Sequence, residues 1–154
     1  MPQIKRIIVP VDFSEYSKRA FRYSIDFAQT FGAEMILVYV VEPVIYPADF
    51  SFGQVALPSM EHELQERSQE QLAALIAKEV PEGVHARSVI RSGKPFVEII
   101  QLAKEEEADL IIIATHGHSG IEHVLFGSTA EKVVRKAPCP VLSIRSPERE
   151  FVMP

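Results

Sequence analysis

The sequence contains one cysteine, Cys139, among 154 residues. A lone thiol cannot close an intrachain disulfide, nor can it complete the cysteine-rich ligand set of a structural zinc site. A reducing compartment is its simplest setting. Long apolar runs are missing as well. None approaches the ~18–20 consecutive apolar residues that span a bilayer. The start, Met1-Pro2-Gln3-Ile4-Lys5-Arg6, leads into a short run interrupted by Pro10 and Asp12, unlike the continuous core of a signal peptide. Positive charge is also scarce: 16 Lys and Arg stand against 21 Asp and Glu, a formal net charge of -5. Such a chain has no global field to draw it onto nucleic acid or an anionic membrane. There is no internal repeat and no low-complexity tract. What is present is 47% hydrophobic and 24% charged residues, enough apolar material for one buried core in a domain of the usual ~100–200 residues. The expectation is a single cytoplasmic domain over residues 1–145, followed by a frayed tail over 146–154.

Short apolar runs alternate with amphipathic stretches. Ile7 to Val11 is rich in β-branched residues and stopped by Asp12, as a strand buried on both faces would be, with Pro10 near its end. Ser14 then suits a helix N-cap, and Tyr16, Ala20, Tyr23, Phe27 and Phe31 recur at helical spacing up to Gly32, predicting one buried face. Met35 to Val41 is a second strand. Residues 43–58 carry Pro43, Pro47 and Pro58 among Tyr46, Phe50 and Phe52, a long loop that either folds over a site or merely connects. Ser59 is placed to cap a helix to about Lys78, with Leu64, Leu72, Leu75 and Ile76 turned to the core and a solvated charged face opposite.

After the turn Pro81-Glu82-Gly83, the alternation Val84, Ala86, Ser88, Ile90 predicts a strand near a sheet edge. Pro95 opens a third helix with the stripe Phe96, Ile99, Ile100, Ala103, and Asp109 to Ala114 holds the most apolar strand. Ser128 to about Lys136 is a fourth helix, ended by Ala137-Pro138-Cys139-Pro140, and Val141 to Ile144 is a fifth strand. The order β-α-β-α-β-α-β-α-β argues for an α/β fold, a five-stranded parallel sheet with helices on both faces and right-handed crossovers. With the Rossmann-like, doubly wound order 3-2-1-4-5, a ligand crevice lies between the carboxyl ends of the first and fourth strands.

The polar features fall at those two ends. Val9-Pro10-Val11-Asp12 ends the first strand, and Ala114-Thr115-His116-Gly117 ends the fourth. Nine residues, His118 to Phe126, then lead to Gly127-Ser128-Thr129 at a helix start. Glycines let the backbone approach a ligand closely, and free amides with hydroxyls at a helix N-terminus suit phosphate. A carboxylate such as Asp12 beside the crevice can accept from a ribose hydroxyl. Structural alternatives stand beside each of these: Gly117 and Gly127 serving turns only, Ser128 serving only as an N-cap, Asp12 only capping the first helix. His116, His118 and His123 invite a metal, yet their spacing matches no closed zinc pattern. Cys139, between two prolines, has no neighbouring base in sequence and reads as a packing residue.

In these segments the chain resembles the universal stress protein family, over about Ile4 to Arg145. The family's nucleotide motif runs G-x-x-G, nine residues, G-[ST], and here it is Ala114-Thr115-His116-Gly117, nine residues, Gly127-Ser128. Val9-Pro10-Val11-Asp12 and Ala137-Pro138-Cys139-Pro140-Val141-Leu142 look like the family too. The resemblance implies binding of ATP, or of AMP or ADP, with Mg²⁺ arriving on the phosphates. It implies that Pro10, Val11 and Asp12 border adenine and ribose, with Asp12 as the ribose acceptor, and that Val40 meets the adenine edge through its backbone. Ile113, Ala114 and Gly117 would line the ribose and phosphate side, and Gly127, Ser128, Thr129 and Ala130 would hold the phosphates. Ala114 replaces the family's first glycine, which is tolerable where the backbone needs no positive φ and the ligand leaves room for a methyl.

The resemblance further implies a stress-response or regulatory role, exerted on a protein partner when nucleotide binds, and a homodimer paired through the last strand, whose apolar edge needs covering. Slow ATP hydrolysis is a weaker reading, since no G-x-x-x-x-G-K-[ST] sequence is present. A nucleotide-free scaffold is another, as some relatives lack the motif. A receiver domain is disfavoured because the third strand ends in Arg91-Ser92-Gly93, without a phosphoacceptor aspartate.

Overall fold

Side-chain alternation along three central strands sorts the core into two layers. In the computed structural model, which describes residues 2–43, 57–117 and 126–145 without the side chains of 57–59, the strands are β1 (Arg6–Pro10), β2 (Glu34–Val41), β3 (Ala86–Ser92), β4 (Leu110–Ala114) and β5 (Val141–Ile144). They form one parallel sheet in the order β3-β2-β1-β4-β5. Ile7, Val9, Met35, Leu37, Leu110 and Ile112 point to one face; Ile8, Ile36, Val38, Ile111 and Ile113 point to the other. Successive residues of a strand face opposite ways, so runs that are apolar throughout require cover on both sides. Helices α1 (Glu15–Phe31) and α2 (Leu57–Glu79) cover the first face; α3 (Pro95–Glu105) and α4 (Ser128–Lys136) cover the second. The predicted order and the edge positions of β3 and β5 are those observed.

Helix α1 begins and ends as its sequence indicates. The Ser14 side chain accepts from the Ser17 amide at 3.2 Å, and Gly32 adopts φ 65°, a left-handed cap that glycine enters without steric cost. Its buried stripe is a different one, however: Ser17, Ala20, Phe21, Ser24 and Ala28 face the sheet, while Tyr23 and Phe31 are 42% and 49% exposed. Small residues let the helix approach the strands closely. The two serines bury their hydroxyls at little cost by donating to the carbonyls of the preceding turn, Ser17 to Ser14 and Ser24 to Phe21. The aromatic residues flank this contact: Tyr16 and Phe27 are half-buried, and the Phe27 and Phe31 rings pack at 5.9 Å.

Helix α2 starts at Leu57, so Ser59 lies inside it and is not its cap. Leu72 is fully buried, but Leu64, expected in the core, is 41% exposed. At edge strand β3, Arg87 pairs with Glu34 of β2 and Glu106 after α3, at 2.9 and 2.5 Å, and Arg91 pairs with Glu105 and Glu98 of α3. These carboxylates raise the pKa of both arginines, their hydrogen bonds outweighing the opposing effect of burial. Pro58, expected in the loop, falls within the first turn of α2 instead, where a proline costs no helical hydrogen bond; residues 44–56, His118, His123 and the tail over 146–154 lie outside the described residues.

Candidate functional site

The carboxyl end of β1 runs directly into a tight turn. The Val11 amide donates to the Val38 carbonyl at 2.9 Å, extending the ladder one residue beyond Pro10. Asp12 then accepts at Oδ1 from the Ser14 amide at 2.9 Å and from the Ser14 hydroxyl at 2.5 Å. Its own amide donates to Ser17 Oγ at 3.2 Å. This is an aspartate turn; the N-cap of α1 is Ser14, not Asp12. Between them Phe13 sits at φ 64°, uncommon for a residue with a side chain. The aspartate turn on one side and the packing of its ring on Tyr39 at 5.3 Å on the other hold it there.

The carboxyl end of β4 faces this turn. Ala114 is buried, lies beside Ile144 of β5, and does not have positive φ, so the methyl in place of the motif glycine causes no backbone strain. Thr115 donates its amide to the Ile144 carbonyl at 3.1 Å. Its hydroxyl lies 2.9 Å from His116 Nδ1, and the buried His116 ring packs 5.8 Å from Tyr16. Gly117 rests against the Asp12 carboxylate. The cap of α4 is Gly127, with Ser128 as the first helical residue rather than the cap. Gly127 has no side chain to occupy the first-turn amides of α4, which have no partner within the helix.

Between these two strand ends lies a cavity of about 420 Å³. All eleven residues singled out from the sequence line it, from Pro10, Val11, Asp12 and Val40 through Ile113, Ala114 and Gly117 to Gly127, Ser128, Thr129 and Ala130. Its apolar lining comprises Val38, Val40, Ile99 and Ile113 with Leu64 and Pro95. Its polar lining includes Asp12, Thr115, His116, Ser128 and Thr129. Sequence reasoning had not placed Ser17, Val38, Tyr39, Glu42, Leu64, Pro95, Ile99, Thr115 and His116 in this set. Val38 was accessible to it, since Val38 and Val40 share a face two residues apart. Pro95 and Ile99 were not, because only the packing of α3 brings them to the crevice. Among the described residues no group of three or more His, Cys, Asp and Glu side chains is arranged to hold a metal ion.

The fold has counterparts among known proteins. The model of the universal stress protein family matches residues 3–145. A universal stress protein of Methanocaldococcus jannaschii is 35% identical over 149 residues, covering 95% of this chain and 85% of that protein. The solved structure of a second universal stress protein of that organism superposes with a TM-score of 0.83 at 25% identity, covering 96% of this chain and 100% of the other. A universal stress protein from Archaeoglobus fulgidus, solved in complex with dAMP, shares the fold at a TM-score of 0.60 and 21% identity, with 92% and 98% covered.

Proposed function

The chain belongs to the universal stress protein family, and from that premise we propose that its crevice binds an adenine nucleotide, ATP or its AMP and ADP relatives. The observation that carries this reading is the convergence of Asp12 and the bare start of α4 on one cavity that apolar side chains also line. A purine is flat and apolar on its faces, which suits Val38, Val40, Ile99 and Ile113. A ribose offers hydroxyl donors, and Asp12 is an acceptor. Phosphates carry negative charge, and the first turn of a helix presents amides and the positive end of its dipole. An anion is thus accommodated in a chain of net charge -5 by backbone groups. A volume of about 420 Å³ falls within the ~300–1,000 Å³ of small-molecule sites. That the Archaeoglobus protein was solved in complex with dAMP, an adenine nucleotide, supports the same ligand class here.

In this reading Mg²⁺ enters with a triphosphate, held by phosphate oxygens and water. Occupancy then alters contacts with a partner protein in a cytoplasmic stress response, and β5 pairs with its counterpart in a homodimer. Calorimetric titration with ATP and Mg²⁺ tests the site: binding that is lost in Asp12→Ala supports it, and no heat at millimolar ATP refutes it. Sedimentation at micromolar concentration tests the pairing, with a monomer as the refuting result.

A further inference from the structure

The motif glycine at 117 faces a side chain of this chain. A Cβ placed on Gly117 would stand 2.4 Å from Asp12 Oδ2 and 3.6 Å from its Cγ, and the first distance is shorter than real Cβ contacts allow. Conformation does not explain the glycine, because Gly117 is not among the glycines with positive φ. Space does. Nor can the carboxylate easily retreat. Its Oδ1 is held by both the amide and the hydroxyl of Ser14, at 2.9 and 2.5 Å, and the Asp12 amide is tied to Ser17 Oγ. The turn continues through Phe13, locked at φ 64° with its ring on Tyr39. A methyl at 117 must therefore displace either the carboxylate or the β4 loop.

The two other sites of the motif differ. Ala114 carries a Cβ without positive φ. At Gly127 a Cβ would meet the Thr115 carbonyl at 3.2 Å, a tighter contact than most but not an impossible one. The severe exclusion is at 117, and its cause is Asp12. We infer that Gly117 is a positioning residue for sugar recognition: its missing side chain lets the loops after β1 and β4 meet through the Asp12 carboxylate, which fixes that carboxylate for a ribose hydroxyl. The role rests on the nucleotide reading above. It predicts that substitution at 117 damages recognition of the sugar while sparing recognition of the phosphates.

The experiment compares ATP, 2′,3′-dideoxyATP and inorganic tripolyphosphate on the wild-type protein and Gly117→Ala by calorimetry. The wild type is expected to favour ATP over the dideoxy compound about tenfold, the value of one hydrogen bond to a charged group. In Gly117→Ala that preference falls to about one, with tripolyphosphate affinity unchanged. Equal weakening of ATP and dideoxyATP, or an unaltered preference, overturns the inference while leaving nucleotide binding standing. Failure of the wild type to bind ATP overturns both. A thermal-denaturation cycle with Asp12→Ala checks the contact without any ligand, and serves even if Gly117→Ala fails to fold. With the carboxylate removed, Gly117→Ala should lower Tm no further, and a full additional loss in that background overturns the inference.

Discussion

The Gly127 amide donates to the Thr115 carbonyl at 2.6 Å, so the start of α4 is tied directly to the end of β4. The helix terminus that faces the crevice is thereby held by the sheet. The hydrogen bond also leaves little room at 127, where a Cβ would lie 3.2 Å from the Thr115 oxygen and 3.7 Å from His116 Cα. Gly127→Val, which adds a branched side chain against backbone, should destabilise the fold by ~1–3 kcal/mol and weaken ATP at least tenfold as the helix start is pushed away. Urea denaturation and calorimetry read the two effects.

Restoring the glycine at the first motif position should not help. Ala114 is buried at the end of β4 and has no positive φ to relieve. Ala114→Gly removes a buried methyl and adds backbone freedom to the unfolded chain, a combined loss of ~1–2 kcal/mol. ATP affinity should stay within about twofold. A marked gain in affinity would show that the methyl obstructs the ligand.

Two leucines of α2 should separate cleanly in denaturation experiments. Leu72 is fully buried between the helix and the sheet, and Leu72→Ala is expected to cost ~2–5 kcal/mol. Leu64 is 41% exposed at the rim of the cavity, so Leu64→Ala should change stability by less than ~0.5 kcal/mol. Its effect should appear in nucleotide affinity.

The Cys139 thiol gives a pH-dependent reading. Burial, and secondarily the Asp109 carboxylate, push its pKa up. The folded protein therefore keeps the proton where an unfolded chain releases it, above ~8.5. The contribution to stability is complete below that pH and is lost as pH rises through the folded value. Alkylation by iodoacetamide should rise at a higher pH in the native protein than in urea. Coincident profiles would mean that the thiol is as accessible to water folded as unfolded.

The convergence of Asp12, Gly117 and Gly127 on one crevice was legible in the sequence because it follows from topology. Once the β-α alternation gives the order 3-2-1-4-5, the ends of β1 and β4 must be neighbours. What was not legible depended on distances of approach. Helix α1 offers two overlapping stripes, one aromatic and one small, and periodicity favours the aromatic. Close contact with the sheet selects Ser17, Ala20, Ser24 and Ala28, with Phe21 filling the remaining depth. The same limit applies at α4, where the cap is a glycine one residue before the serine that residue preference indicates. Ser17 escaped notice as a support for Asp12 because its hydroxyl acts five residues back along the chain, across a turn that no spacing rule marks.

The arginine pairs of β3 have a consequence for the two borders of the sheet. Along that margin Arg87 and Arg91 are engaged by four glutamates, and an incoming strand would have to compete with charged, hydrated groups. The opposite margin, Val141-Leu142-Ser143-Ile144, carries no charge and is half-buried throughout. Among the described residues the two margins of the sheet are thus unlike in charge: a strand approaching β3 meets paired ions, whereas β5 itself offers no ionic barrier.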